Sequence, residues 1–445
     1  PHVQEAVKRQ IAEIAARYGD EPALNGLTLN TVRHSIFAFG SLESGYNDVN
    51  LVRFQKETGI RIPVDRKDRF RFAKSYQWLL ANAKEPWIQW RCQKLHDYYK
   101  DLAALLREKR KDLTLGLVVF AAEDAKAAAN YLDTNQSVLG WAREQGLDPR
   151  LYANDPEIVF RYSMVPADLR WRRAHGSVDS EVYATRTVDS APEMVAPIAL
   201  TPSASVNMHD RYFENDVARK SPLSGLGSKA HECAWRVSAL NGNSYHGLEN
   251  HVFALNNLDA LTITKGGFLV GTFGIEDKIG RFAKAYRALP AVKFEDVPGL
   301  SDPVRVRQKV VDGANYLYVL NRLPYPADAE LALAGADAAD LVSGEASQNG
   351  RLVLRLRPYD LRTFRQPDAK GRVTGGSAKL ADEVTGELAH RVAEAEARIR
   401  ARAAKGEATE ALQPYLDKAK ACLANKEYAR LHFLLQETWA HALLD

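Results

Sequence analysis

Between Leu27 and Pro63 the chain reads LTLNTVRHSIFAFGSLESGYNDVNLVRFQKETGIRIP: an apolar run that stops at Arg33 and His34, a loop holding Glu43, and a segment opening at Asp48. Glu123 and Asp124 follow the apolar run LTLGLVVFA, His209, Asp210 and Glu214 stand in a polar stretch, and Tyr245, His246 and Glu249 fall in NGNSYHGLEN. Carboxylates are thus in surplus near the ends of apolar runs, with Phe37, Phe39, Tyr46, Tyr212, Trp235 and Tyr245 placed among them. Hydrolysis of a glycoside needs two carboxyl groups flanking the bond. One is protonated to assist the leaving oxygen, and the other is ionised as nucleophile or as base for water. Aromatic side chains beside such a pair offer flat apolar faces to a sugar ring.

This chemistry selects Glu43, Asp48 and Glu249 as candidate catalytic carboxylates. Arg33, His34, Tyr46, Glu123, Asp124, His209, Asp210 and Tyr245 are the candidate substrate contacts. Each has a structural alternative. Asp48 stands immediately before VNLVRF, where it would cap a helix, and Glu123 and Asp124 could cap a helix starting at Ala125. Arg33 and His34 adjoin a buried strand and could form an ion pair or a satisfied core histidine. Glu249 could face solvent on a helix. Glu43, in a Gly/Ser-rich loop, has no evident structural task. His246 and His251 are five apart, a poor match to the spacing of a helical zinc pair, so no metal is expected. GLGSKAH lacks the Gly-Lys-Ser/Thr ending of a phosphate loop, and neither GxSxG nor GxGxxG is present, so no organic cofactor is expected.

The elements that must hold these residues follow from periodicity. Val7, Ile11, Ile14 and Ala15 recur at helical spacing before Gly19. NGLTLNTV reads as a strand, a helix begins near Asp48, and DRFRFAKSYQWLLANA and EPWIQWRCQKLHDYYKDLAALLREKRK read as long helices. LTLGLVVFA is a buried strand, and PEIVFRYSM, MVAPIAL, CAWRVSAL and DALTITKGG are further strand candidates. IEDKIGRFAKAYRALP is helical. Strands separated by helices, without hairpin signals, argue for a parallel α/β sheet or barrel over residues 1–297. From about residue 298 to 367 the pattern alternates around a DG turn signal, as in an antiparallel β-sandwich. PDAKGRVTGGSA reads as a linker, and residues 378–445 read as a hairpin or bundle of two or three helices.

Composition agrees with a globular protein: 445 residues, 46% hydrophobic, 26% charged. The formal net charge of +4 is nearly balanced and gives no reason to expect nucleic acid. No apolar run is long enough to span a membrane. Cys92, Cys233 and Cys422 match no metal spacing and read as buried free thiols.

GYNDVNLVRFQKETGIRIP, WIQWRCQKLHDYYKDL, DALTITKGGF and LRLRPYDLRTF together resemble segments of a group of bacterial glycoside-hydrolase-like proteins, the family-ten-like sugar hydrolases. The resemblance covers most of residues 1–366. It implies a (β/α)8 TIM-type barrel, followed by a small antiparallel β-sandwich and the helical tail, acting on oligo- or polysaccharides with paired carboxylates and secreted or periplasmic. Only five or six parallel strand candidates precede the sandwich, where a closed barrel needs eight. The chain then holds either an open sheet or a barrel whose first βα units lie upstream or on a second chain. A catalytically silent scaffold that binds glycan or assembles a homo-oligomer is the alternative. No Asn-Glu pair follows the first strand, which favours that alternative.

Overall fold

The structure is a computed structural model that describes residues 2–31, 36–119, 137–164, 194, 196–198, 204–209, 231–236, 244–265, 274–300 and 302–444. Arg33, His34, Glu123, Asp124 and Asp210 lie outside these. The described residues up to Cys233 and those from Ala234 onward form two compact units.

The first unit is built on parallel strands β1 (Gly26–Asn30), β2 (Thr114–Val119), β3 (Ile158–Met164) and β4 (Ala204–His209), each paired with the next in chain order. Sequential order means that the chain winds in one sense, as in barrels, instead of reversing as in doubly wound sheets. β2 is almost wholly buried because its apolar run leaves no polar face to show. Gly26 starts β1 where a Cβ would come within 2.0 Å of the Thr114 carbonyl oxygen, so the strands approach only without a side chain there. Past the candidate MVAPIAL, whose residues 196–198 form a turn, the next described strand is β4, ASVNMH.

Among its described residues, this unit also has helices α1 (His2–Tyr18), α2 (Asp48–Thr58), α3 (Arg71–Asn82), α4 (Lys84–Lys109) and α5 (Val138–Glu144). α4 packs its aromatic face inward: Trp87 stacks on Trp90 at 5.1 Å, and Phe54 of α2 meets Trp87 edge-on at 5.0 Å. Arg110, just past α4, donates to the carbonyls of Gly19, Glu21 and Leu24 and so ties the end of α1 to the approach to β1. At the entry to β3, His96 Nε2 meets Asp155 Oδ2 at 2.5 Å and Lys100 Nζ meets Asp155 Oδ1 at 2.9 Å. This triad stands at the N-terminal end of its strand, where a polar cluster fixes packing rather than chemistry.

β5 (His231–Arg236) follows in the sequence, and the second unit contains β6 (Thr262–Lys265), helices α6 (Glu249–Leu258) and α7 (Glu276–Arg287), two antiparallel sheets and the helical tail. Five strands, β11 (Ala339–Asp340), β13 (Leu361–Gln366), β9 (Ala314–Asn321), β8 (Val304–Val311) and β7 (Glu295–Asp296), form one sheet in that order. Three more, β12 (Arg351–Leu356), β10 (Ala327–Ala334) and β14 (Arg372–Leu380), form the other. Val306, Leu317, Val319, Leu331, Leu354 and Phe364 share the core of this unit's sheets. The DG signal is a hairpin turn: Asp312 and Gly313 both have positive φ, 49° and 77°, between β8 and β9.

From Arg372 on, the stretch that reads as a linker in the sequence is instead part of β14, pairing with β10 from Leu380 to Arg372 across a bulge. The tail has four helices where two or three were expected, running Asp382–Ala404, Gln413–Ala424, Tyr428–Leu434 and Thr438–Leu444. All three cysteines are buried free thiols. No helix among the described residues is long and apolar enough to cross a membrane.

Candidate functional site

The loop after β1 is fixed from beneath by groups that no sequence pattern singles out. Thr31 is buried, and its hydroxyl donates to the Val118 carbonyl at 2.6 Å, continuing the pairing past the strand. The Phe39 N–H donates to the Gln145 carbonyl at 3.1 Å, and the Tyr99 hydroxyl to the Phe37 carbonyl. Arg91, on α4, is fully buried and pairs with no carboxylate among the described residues. Its Nη2 donates to the Ser41 carbonyl at 2.6 Å, Nη1 reaches the Leu42 carbonyl at 3.5 Å, and its guanidinium lies 4.1 Å from the Phe39 ring centre. Burial pushes this guanidinium down to about 10.

Removing a cation from water is expensive, and the Ser41 and Leu42 carbonyls, with the Glu144 carboxylate acting without a direct pair, offset part of that cost. The charge sits one position after Trp90 and four after Trp87, on the aromatic face of α4.

Glu43 stands at the exposed tip of this loop. Its N–H donates to Ser41 Oγ at 3.1 Å, and Ser44 Oγ donates to the Ser41 carbonyl at 2.9 Å. Gly45 has φ +96°, which an L side chain rarely adopts, and a Cβ there would meet the Phe39 ring at 2.9 Å. Tyr46 is 7% exposed, donates its hydroxyl to the Leu42 carbonyl at 2.7 Å and packs on Tyr76 and Trp87 at 5.1 and 5.3 Å. Burial pushes that hydroxyl up to about 12. Tyr46 therefore supports the loop from inside, with no face left for a sugar.

The half-buried Tyr76 feels the charge of Glu43. Its hydroxyl is pushed up by burial and then by Glu43 and Glu144. Glu144, at the end of α5, is a carboxylate with no sequence signal to mark it. It is buried and 3.5 Å from Lys84 Nζ. One exposed and one buried, lysine-paired carboxylate thus act on the same tyrosine.

Asp48 has a different role. The helix cap is Asn47, whose side chain accepts from the Asn50 N–H at 3.0 Å. Asp48 follows it and accepts from Arg71 Nε and Nη2 at 3.1 and 3.0 Å, a pair that holds its carboxyl below the usual range.

In the second unit, Glu249 opens α6 and accepts from the Tyr359 hydroxyl at 2.6 Å. Tyr359 is fully buried, has φ +49°, and its hydroxyl is pushed well up by burial and then by Glu249. His246 meets the same ring at 5.9 Å, and Lys278 Nζ lies 5.6 Å from the Tyr245 ring centre. The cleft lined by Tyr245, Lys278, Tyr359 and Asp360 has a volume of only about 10 Å³, less than a sugar requires. Glu249 and Tyr245 therefore sit in a packed polar cluster. His209 is the last residue of β4. No group of three or more His, Cys, Asp or Glu that could hold a metal ion occurs among the described residues.

No protein-family model and no curated protein matches the sequence. Among solved structures, the chain is similar to a GH30 endoxylanase from Clostridium papyrosolvens C71 (TM-score 0.38, 11% identity, covering 63% of this chain and 72% of that one). It is also similar to a GH27 β-L-arabinopyranosidase from Geobacillus stearothermophilus (TM-score 0.33, 13% identity, 62% of this chain and 78% of that one). An Anoxybacillus α-amylase gives a TM-score of 0.31 at 11% identity, over 60% of this chain and 78% of that one. Scores and identities this low assign neither a barrel nor an activity to this chain.

Proposed function

We propose that the chain is a glycoside-hydrolase-like protein of the (β/α)8-barrel class, with its site where β1 and β2 finish and Glu43 as its working carboxylate. The observation that carries this reading is the buried Arg91 guanidinium bound to the Ser41 and Leu42 carbonyls, which fixes a loop whose tip presents Glu43 to solvent. A fixed loop at the C-terminal end of a parallel strand is where barrels place reactive groups. Preorganisation of that kind is what a catalytic carboxylate requires. In this proposal Glu43 is one of the two carboxyl groups, and Glu123 or Asp124, which follow β2 in the sequence, supplies the other. Tyr76 offers the sugar a ring, and Arg33 and His34 contact its hydroxyls. Asp48, Tyr46, Tyr245 and Glu249 take structural places instead.

The test is release of reducing sugar from a set of polysaccharides and aryl glycosides by wild type and by Glu43→Gln. Hydrolysis that disappears in the variant supports the reading. Hydrolysis that persists at the wild-type rate removes Glu43 from it.

A further inference from the structure

Residues 61–74, RIPVDRKDRFRFAK, hold six basic side chains and two acidic ones, an excess equal to the formal net charge of +4 on the whole chain. The fold turns both acidic groups back onto the segment itself. Asp65 accepts from the Lys67 N–H at 2.9 Å, and Asp68 accepts from the Phe70 N–H at 2.8 Å and pairs with Lys74. Arg71 is taken up by Asp48. Arg61, Arg66, Lys67 and Arg69 are exposed and form no ion pair among the described residues. The outward charge of these turns is therefore positive.

Large apolar groups stand among these charges. Phe70 and Phe72, at the start of α3, are 54% and 41% exposed. The Arg69 and Arg71 guanidiniums lie 4.5 and 4.1 Å from the centres of the Phe70 and Phe72 rings. The bonds from Arg71 to Asp48, 3.1 and 3.0 Å, bring the first turns of α2 and α3 together. Val49 and Val52, 49% and 41% exposed and one turn apart on α2, extend the same surface. Exposed apolar groups gathered within a charged rim mark a surface that gains by being covered.

A dissolved polyanion would answer the cations and leave the valines and the rings in water. An anionic bilayer answers both, with phosphates at its surface and an apolar layer beneath the headgroups. We propose that this face of the first unit docks on an anionic phospholipid bilayer, with Phe70 and Phe72 entering the headgroup layer and Arg61, Arg66, Lys67 and Arg69 meeting lipid phosphates. The guanidinium beside each ring stays at phosphate level while the ring goes deeper. Such docking is independent of hydrolysis at Glu43.

The experiment is co-sedimentation of the full chain with vesicles of phosphatidylcholine alone, and of phosphatidylcholine and phosphatidylglycerol in equal parts, at low and high salt. Binding of a single-stranded oligonucleotide, a soluble polyanion, is measured alongside. Wild type is compared with Phe70→Ser and with a double variant, Arg66→Gln and Lys67→Gln. A control pair, Lys405→Gln and Lys418→Gln, removes the same charge from exposed positions of the tail. Every altered side chain is exposed, so the variants keep the fold. The expected result is saturable binding to the mixed vesicles only, weakened by salt. It falls about 25-fold in the Arg66/Lys67 double variant, at about fivefold per charge, and about fivefold in Phe70→Ser, and is unchanged in the control pair. Absence of binding to the mixed vesicles would overturn the proposal, and so would an equal loss in the control pair. Undiminished binding in Phe70→Ser, or tighter binding of the oligonucleotide than of the vesicles, would make the partner a dissolved polyanion and equally overturn it.

Discussion

Arg91 Nη2 lies 2.6 Å from the Ser41 carbonyl oxygen, and that hydrogen bond joins the middle of α4 to the loop that presents Glu43. The two residues are fifty positions apart, so the loop's shape depends on tertiary packing as well as on its own turn. A lysine in place of Arg91 would keep the charge but lose the planar fork and the stacking on Phe39. Arg91→Lys is expected to destabilise the chain by about 2 kcal/mol, through carbonyls left without their donors. Denaturant unfolding measures this, and a midpoint equal to wild type would show that the fork is dispensable.

Asn47 and Asp48 separate a cap from an ion pair. Asn47→Ala removes the side-chain acceptor for the Asn50 N–H and is expected to cost about 1 kcal/mol. Asp48→Asn loses a solvent-screened pair with Arg71, and its melting temperature is expected to fall less than that of Asn47→Ala. Equal or reversed effects would mean that Asp48 carries the helix start.

Asp360 and His432, both in the second unit, oppose each other in their pH dependence. Burial raises the Asp360 carboxyl to about 6, so its contribution to stability is present below about pH 4 and is lost as pH rises through 6. Burial, then Arg391 and His246, lower the His432 imidazole to about 4, so its contribution is present above about pH 6.5 and is lost as pH falls through 4. Each contribution amounts to at most about 3 kcal/mol. In Asp360→Asn the histidine acts alone, and stability should fall more steeply than in wild type between pH 6.5 and 4. In His432→Gln it should fall instead as pH rises over that interval. Parallel wild-type and variant curves in urea titrations at several pH values would refute both assignments.

How much of this was legible in the sequence depended on how local its cause was. The buried run of β2, the helical spacing of α1 and the Asp312–Gly313 turn are written in a few consecutive residues, and each element stands where its pattern places it. β14 was not legible because Gly375 and Gly376 look like linker residues. A Cβ at Gly376 would stand 2.5 Å from the Glu330 carbonyl oxygen, so glycine is there to let β10 approach. GYND announces a helix cap but offers both Asn47 and Asp48, and only the position of Arg71 separates their tasks.

Tyr46 and Glu249 read as site residues because polar and aromatic groups near loops suggest binding. Their hydroxyl and carboxylate are taken up by Leu42 and Tyr359, contacts that no local pattern reveals. Arg91 was hidden for the opposite reason: a basic residue in a charged amphipathic helix is ordinarily solvated, and here it is fully buried.

The proposed chemistry of Glu43 on a glycosidic bond is tested by the turnover ratio of wild type to Glu43→Gln on a cleaved substrate. Asp48→Asn serves as the folded control, and circular dichroism confirms that both variants fold. Glu43→Gln is expected to lose about 100-fold or more, the scale of removing a positioned acid or base, and Asp48→Asn to keep near wild-type turnover. Wild-type turnover in Glu43→Gln, or an equal loss in Asp48→Asn, would contradict it.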